Sequence, residues 1–237
     1  ALAVRVKATE SAKDRILVPV ANPRTAKSLV HLATILAQAS EDTNICVLTV
    51  APVSPYLPQG AAKRLVARLG WRQKSLHDQI VRDAQARNVP LYTKMRAAAS
   101  ISQGILEEAE KHGDIKLILM GWPGPLDTQT LPSNPANEVL MAAHTNFAVL
   151  LDRGLKRVHH ILVPVGGGPH SRLAISLAYE IAEREEARII VLRLFSEMAG
   201  AEEIEDEMLL LREIIEDELG SVPACITMRV ARAESVP

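Results

Sequence analysis

Aromatic residues make up only 3% of this chain, so its core has to be built from Ala, Leu, Ile and Val. The aromatic-plus-basic clusters of RNA-binding proteins are missing, and the formal net charge is -1; both argue against a nucleic-acid partner. There are two cysteines, Cys46 and Cys225, each inside an apolar strand-like run. With no CxxC partner and no metal-ligand spacing, they read as small buried hydrophobes in a reducing compartment. No apolar run approaches the ~20 residues needed to span a bilayer, and residues 1–7 carry no apolar core of a signal peptide. Ser-x-x-Lys, GxSxG and HExxH are absent as well, which removes the common signatures of acyl transfer and zinc hydrolysis.

What is present is a repeat. Arg15-Ile16-Leu17-Val18-Pro19-Val20 returns 145 positions later as His160-Ile161-Leu162-Val163-Pro164-Val165. Continued without a gap, the match sets His31-Leu32-Ala33 on Ser176-Leu177-Ala178 and Ile45-Cys46-Val47-Leu48 on Ile190-Val191-Leu192-Arg193. A second phrase, Val89-Pro90 with Met95-Arg96, reappears as Val222-Pro223 with Met228-Arg229. A repeat of this length fixes an architecture of two related units. At 237 residues, 48% hydrophobic and 23% charged, the chain is long enough for each unit to bury its own core.

Short continuous apolar runs at 16–20, 45–50, 91–97, 116–120 and 147–151 read as parallel strands covered on both faces. Helical spacing falls between them at 24–39, 61–87, 101–111 and 137–143, with Leu65, Leu69, Leu76, Ile80 and Ala84 along one face of the longest. This alternation predicts an α/β fold: two tandem doubly wound parallel-sheet units joined by right-handed crossovers. The first unit is set at 1–153 and the second at 154–237. The second offers strands at 158–165, 188–195 and 225–231, with helices at 171–184 and 202–219. It then ends without counterparts of 103–151, which leaves a three-strand half-sheet with an open edge. A start without Met and an end in mid-repeat lead us to expect a piece of something larger.

Ligands of open α/β sheets bind beyond the carboxyl ends of the strands, where glycine turns bring phosphates to helix N-termini. Two places qualify: Gly121-Trp122-Pro123-Gly124 after the fourth strand, and Gly166-Gly167-Gly168-Pro169-His170 after the first strand of the second unit. With these residues in view, the chain resembles the universal stress protein family, over all of the first unit and about three-fifths of the second. That family has an Ile-Leu-Val-Pro-Val strand and a phosphate loop GxxG-x9-G(S/T) after strand four. The resemblance implies ATP contacts at Gly121, at Gly124 and at the pair nine residues on. Here that pair is Asn134-Pro135, and the family's nucleotide-contacting Asp after the first strand is Ala21, or Gly166 in the second copy. Gly121, Gly124, Asn134, Gly166 and Gly167 are therefore expected to trace a vestigial nucleotide site, with no cofactor bound. Pro135 also removes a backbone N–H that such a loop would aim at an anion.

The seven histidines are scattered, and His159-His160 has no third metal ligand at a recognisable spacing. No metal site and no catalytic residues are expected. The helix over 202–219 alternates acids with core positions, which reads as a solvated face or, more sharply, as a surface for a basic partner.

Several further phrases resemble the cytoplasmic carboxyl-terminal domain of cation–chloride cotransporters, a branch of the amino acid–polyamine–organocation transporter superfamily. They are the 21–32 stretch running from Asn22-Pro23 into Leu29-Val30-His31-Leu32, Trp71-Arg72-Gln73-Lys74, Leu117 to Trp122, and Asn146-Phe147-Ala148-Val149-Leu150-Leu151. This resemblance implies a non-catalytic regulatory or assembly domain on the cytoplasmic side of the cell membrane. It would act as a homodimer, joined to the transmembrane portion of the same polypeptide, with an amino acid permease as the next transporter type. A soluble tandem universal stress protein that binds ATP is the alternative.

Overall fold

The structure is a computed structural model and describes residues 14–40, 42–111, 113–122, 134–166, 168–196 and 201–233. It divides into two compact units, 1–155 and 156–237.

In the first unit the strands are β1 (Asp14–Pro19), β2 (Thr43–Pro52), β3 (Leu91–Ala98), β4 (Ile115–Gly121) and β5 (Asn146–Leu150). They form one parallel sheet in the order β3-β2-β1-β4-β5. Helices α1 (Pro23–Ala37), α2 (Gln59–Ala86), α3 (Ile101–Lys111) and α4 (Pro135–Ala142) connect them. Because β1 is central, its apolar run has no solvent face: Ile16, Leu17 and Val18 are all 0% exposed. Leu17, Cys46, Leu48, Ile118 and Met120 point to one side and pack with Ile105 of α3 and with Ala136 and Val139 of α4. The alternate residues face α1 and the carboxyl-terminal part of α2, where Leu76, Ile80 and Ala84 are buried.

The amino-terminal part of α2 departs from the expected apolar face. Leu65 is 41% and Trp71 76% exposed. At ~1.5 Å per residue, this 28-residue helix is longer than the sheet it packs on, so only one end finds a core. Helix α4 begins two residues earlier than its apolar pattern suggests, because Asn134 caps it and Pro135 fits the first turn.

The second unit holds β6 (His160–Pro164), β7 (Arg188–Ser196) and β8 (Ile226–Ala233), parallel and in the order β6-β7-β8. Helices α5 (Pro169–Glu185) and α6 (Ala201–Leu219) cover one face, where Val163, Val191, Ile175, Leu211 and Ile215 close a small core. Nothing among the described residues pairs with the second edge of β6.

Sheet register corrects the gapless repeat. Ile16 lies opposite Ile45, 29 positions on. Its counterpart Ile161 lies opposite Ile189, only 28 positions on. The crossover from β6 to β7 is one residue shorter than that from β1 to β2: α5 runs longer, and Glu186, in the left-handed region (φ 56°), turns the chain straight into β7. Ile45 therefore corresponds to Ile189 and not to Ile190, and a slip of one residue reverses every side chain across the sheet. In β8 the shift is two residues. The Pro90 carbonyl accepts from Ile45 N–H, and the Cys225 carbonyl, not that of Pro223, accepts from Ile189 N–H.

Candidate functional site

The strand order of the first sheet reverses between β1 and β4, so their carboxyl ends flank the crevice where a ligand would enter. Val20 is tied to the sheet through its N–H to Leu48 O (2.8 Å), and Ala21 and Asn22 are exposed at the lip. The Asn22 carbonyl closes the first turn of α1, accepting from Ala26 N–H (3.1 Å) and from the Thr25 hydroxyl (3.3 Å). At position 21 the crevice offers a methyl group, with no carboxylate to accept from sugar hydroxyls.

On the β4 side, Gly121 is a packing glycine. A Cβ there would sit 3.2 Å from Leu29 Cδ1 and 3.9 Å from Thr25 Oγ1. The next residue, Trp122, turns inward: it is buried in the α3–α4 core, and its N–H donates to Leu150 O (3.0 Å). Gly124 lies outside the described residues.

Asn134 uses the donors of the α4 N-terminus that an anion would need. Its Oδ1 accepts from Ala136 N–H at 2.9 Å, and its carbonyl accepts from the N–H groups of Asn137 (2.9 Å) and Glu138 (3.3 Å). Pro135 has no N–H to offer. Asn134 is itself only 6% exposed. Glu138 adds a carboxylate in this first turn, hydrogen-bonded by the Ser102 hydroxyl, and so places negative charge where a phosphate would also seek the helix dipole. This helix start is capped by its own Asn134 side chain.

In the second unit, the Gly166 N–H donates to the buried Ser171 Oγ (3.3 Å), and Gly168, at φ 80°, caps α5. A side chain at 168 would be strained at that φ, so the glycine serves the turn. Gly167 lies outside the described residues. Beside the turn, Arg193 holds Val165 O through Nη1 (3.4 Å) and Glu207 through Nε (3.1 Å). Gly121 and Asn134 belong to one unit and Gly166 to the other; Gly121 packs against Leu29, Asn134 caps α4, and Gly166 lies in the turn before α5.

Asp152, two residues past β5, is held below the ordinary carboxylate value chiefly by a hydrogen bond from the Ser28 hydroxyl of α1. Burial holds the His77 imidazole below its usual value, and Nε2 meets Thr49 Oγ1 at 3.2 Å. Burial pushes the Cys46 thiol up to about 11, and it raises Cys225 as well. Among the described residues, no group of three or more His, Cys, Asp or Glu could hold a metal ion, and no helix is long and apolar enough to cross a membrane.

The polar cluster that the motifs do not announce joins β3 to α3. Lys94 Nζ lies 2.6 Å and Arg96 Nη1 3.0 Å from the two oxygens of Glu108, and Arg96 also pairs with Glu107. The signal in the sequence was Lys94-x-Arg96 on one strand face followed by Glu107-Glu108 on the next helix.

The sequence profile of the universal stress protein family matches residues 13–150. Among solved structures, a universal stress protein from Archaeoglobus fulgidus DSM 4304 is similar at TM-score 0.63 and 12% identity, over 93% of this chain and 77% of that one. The cytoplasmic domain of a prokaryotic cation chloride cotransporter is similar at TM-score 0.58 and 14% identity, over 93% and 79%. A functionally unknown protein from Pseudomonas aeruginosa PAO1 follows at TM-score 0.55 and 15% identity, over 92% and 73%. No curated protein sequence matches the chain. Identities this low carry the fold alone.

Proposed function

The chain belongs to the universal stress protein family, and from that premise we propose that it is a non-catalytic cytoplasmic regulatory and assembly domain of a secondary membrane transporter. Within that class we favour cation–chloride cotransport over amino acid permeation. In this reading the domain works as a homodimer attached to the membrane portion of its own polypeptide, and its carboxylate-rich α6 surface is available to a basic partner.

The observation that supports the proposal is the self-capped start of α4 beside an acid-free position 21. Position 21 has no acid, and the α4 N–H groups that would meet a phosphate are taken by Asn134 or removed by Pro135. In this reading the domain has given up its ligand chemistry and is used for contacts. The cotransporter cytoplasmic domain, similar over both units, supplies the class of protein in which such a use fits.

The test is the reading frame that encodes Ala1. Upstream it should contain a series of apolar stretches of about 20 residues each; a start codon immediately before Ala1 would sink the proposal. Titration of a fluorescent ATP analogue into the purified chain separates the alternative, a soluble tandem protein that binds ATP. No saturable binding is expected, and micromolar saturation would favour that alternative.

A further inference from the structure

Helices α2 and α6 hold the same place in the two units, since α2 joins β2 to β3 and α6 joins β7 to β8. Each also turns a second face away from its sheet. On α2, Arg64, Arg68, Trp71 and Ser75 recur at i, i+4, i+7 and i+11 and all are exposed, opposite the buried Leu76, Ile80 and Ala84. On α6, Asp206, Leu210, Glu213 and Asp217 follow the same spacing and are exposed, opposite the buried Leu211 and Ile215. Neither exposure comes from the open edge of β6 or from the uncovered side of its sheet. Both faces look outward from helices that already cover a core, and α2 does so in a unit that has five strands.

The two faces are charged oppositely. Gln59 to His77 holds five cations and no acid, whereas α6 holds nine acids and one cation. On α6 the ion pairs use Glu207, Glu216 and Asp217, which leaves Asp206 and Glu213 with none among the described residues. Each face also has an apolar centre. Trp71 is 76% exposed, with Lys74 Nζ 5.5 Å from its ring centroid, and Leu209 and Leu210 are 58% and 43% exposed. An outward tryptophan and two adjacent outward leucines are large apolar groups to leave in water. At ~1.5 Å per residue, residues 59–75 run ~25 Å and α6 ~28 Å, so the surfaces match in length, charge and apolar centre. Both are exposed in the single chain, and what complements each is present on a second copy.

We propose that the outward face of α2, through Arg64, Arg68 and Trp71, packs on the outward face of α6, through Asp206, Leu210 and Glu213, of a second copy of this chain. The inference rests on the homodimer reading above, to which it gives a surface, and not on the transporter assignment. Burial of Trp71 against the leucines supplies affinity, and the facing charges select the partner and its orientation.

Two charge reversals test the contact in the whole chain, by sedimentation over a concentration series. One variant carries Arg64→Glu with Arg68→Glu, the other Asp206→Arg with Glu213→Arg. All four positions are exposed, and an unchanged circular dichroism spectrum checks the fold. Each variant alone should associate about tenfold more weakly than the wild type, since like charges then face each other. Mixed in equal amounts, the two should associate as the wild type does with itself, because the reversed faces again carry opposite charge. Trp71 supplies a second readout. Trp122, the other tryptophan, is 9% exposed, so acrylamide quenching reports Trp71 and should fall as the wild-type chain associates. A wild-type chain that stays monomeric up to ~1 mM overturns the contact and the homodimer reading together. A dimer that keeps its strength in both variants, with Trp71 still quenchable, overturns the contact alone and leaves the homodimer to another surface. Weakening in both variants with no recovery on mixing overturns it too, since the faces would then act separately. So does a monomeric chain that binds phosphatidylserine vesicles through Arg64 and Arg68, because the α2 face would then belong to a membrane.

Discussion

Lys94 Nζ stands 2.6 Å from Glu108 Oε1, and the Glu108 side chain is 1% exposed whereas that of Lys94 is 32% exposed. A carboxylate has been carried into the α3–β3 contact while its cations keep a path to water. Arg96, 24% exposed, holds the second oxygen. Glu108 is the member of this cluster that cannot be rehydrated in place.

Removing Glu108 should therefore cost more than removing its neighbour. Glu108→Ala is expected to lower the stability of the first unit by about 2–3 kcal/mol, since it leaves two cations partly desolvated and opens a gap under α3. Glu107→Ala, at a site 38% exposed, should cost less than ~1 kcal/mol. Urea unfolding followed by circular dichroism checks both, and equal losses would contradict this account.

The α4 cap gives a second expectation. Asn134→Ala removes the acceptor for Ala136 N–H and should cost ~1 kcal/mol, whereas Asn134→Gly should cost only a few tenths, about the usual range for an N-cap. If Asn134 instead served a bound nucleotide, neither change would alter the stability of the ligand-free chain. Unfolding midpoints of the three proteins decide the matter.

Gly121→Ala tests the same crevice from the β4 side. The new Cβ would lie 3.2 Å from Leu29 Cδ1, and Leu29 is 2% exposed, so the leucine has little room to give. A loss of about 1 kcal/mol is expected from this overpacking. Leu29→Val in the same chain should recover part of it, and the non-additivity is the readout. Strict additivity would show that the two groups do not meet.

The strands and helices were legible because each carries one clear period, and the parallel pairing follows from their alternation. The one-residue shortening before β7 was not, because Ile45-Cys46-Val47-Leu48 and Ile190-Val191-Leu192-Arg193 lie in strands apolar on both faces, and such strands hold little period-two information. Arg193 was the available warning. The gapless match sets it on Leu48, which is 0% exposed. In the register of the sheets it falls on Thr49, a polar position bonded to His77. At the crevice, the positions of Gly121 and Asn134 and the missing acid at Ala21 could be read from the residues alone. That Asn134 takes its own helix's N–H groups was not legible, because a helix cap and a departure from the phosphate-loop pattern are written with the same residue.

His77 makes the first unit sensitive to mild acid. Burial lowers its folded-state pKa below the ordinary 6.5, so below that pH the unfolded chain binds a proton that the folded one resists. Stability should fall as the pH drops from 6.5 toward the lowered value and should be flat, in this term, above 6.5. His77→Gln should remove that slope. The comparison is made by unfolding both proteins between pH 7.5 and pH 5.5, and an unchanged slope in the variant would refute the assignment.

The two thiols should behave as probes of different depth. Cys46 is 0% exposed and its pKa is pushed up to about 11 by burial, so at pH 8 the folded protein offers almost no thiolate there. Cys225 is half-buried; its thiol is also raised by burial, yet it borders an open cavity of about 630 Å³ lined by Tyr179, Glu183 and Arg188. With an aromatic disulfide reagent at pH 8, one thiol per folded chain should react, slowly, and Cys225→Ala should abolish that phase. Cys46 should react only when the first unit opens, so its rate should rise in Glu108→Ala. Two thiols reacting at similar rates in the folded chain would mean that the first core is open to solvent, against the complete burial of Ile16, Leu17 and Val18 beside it.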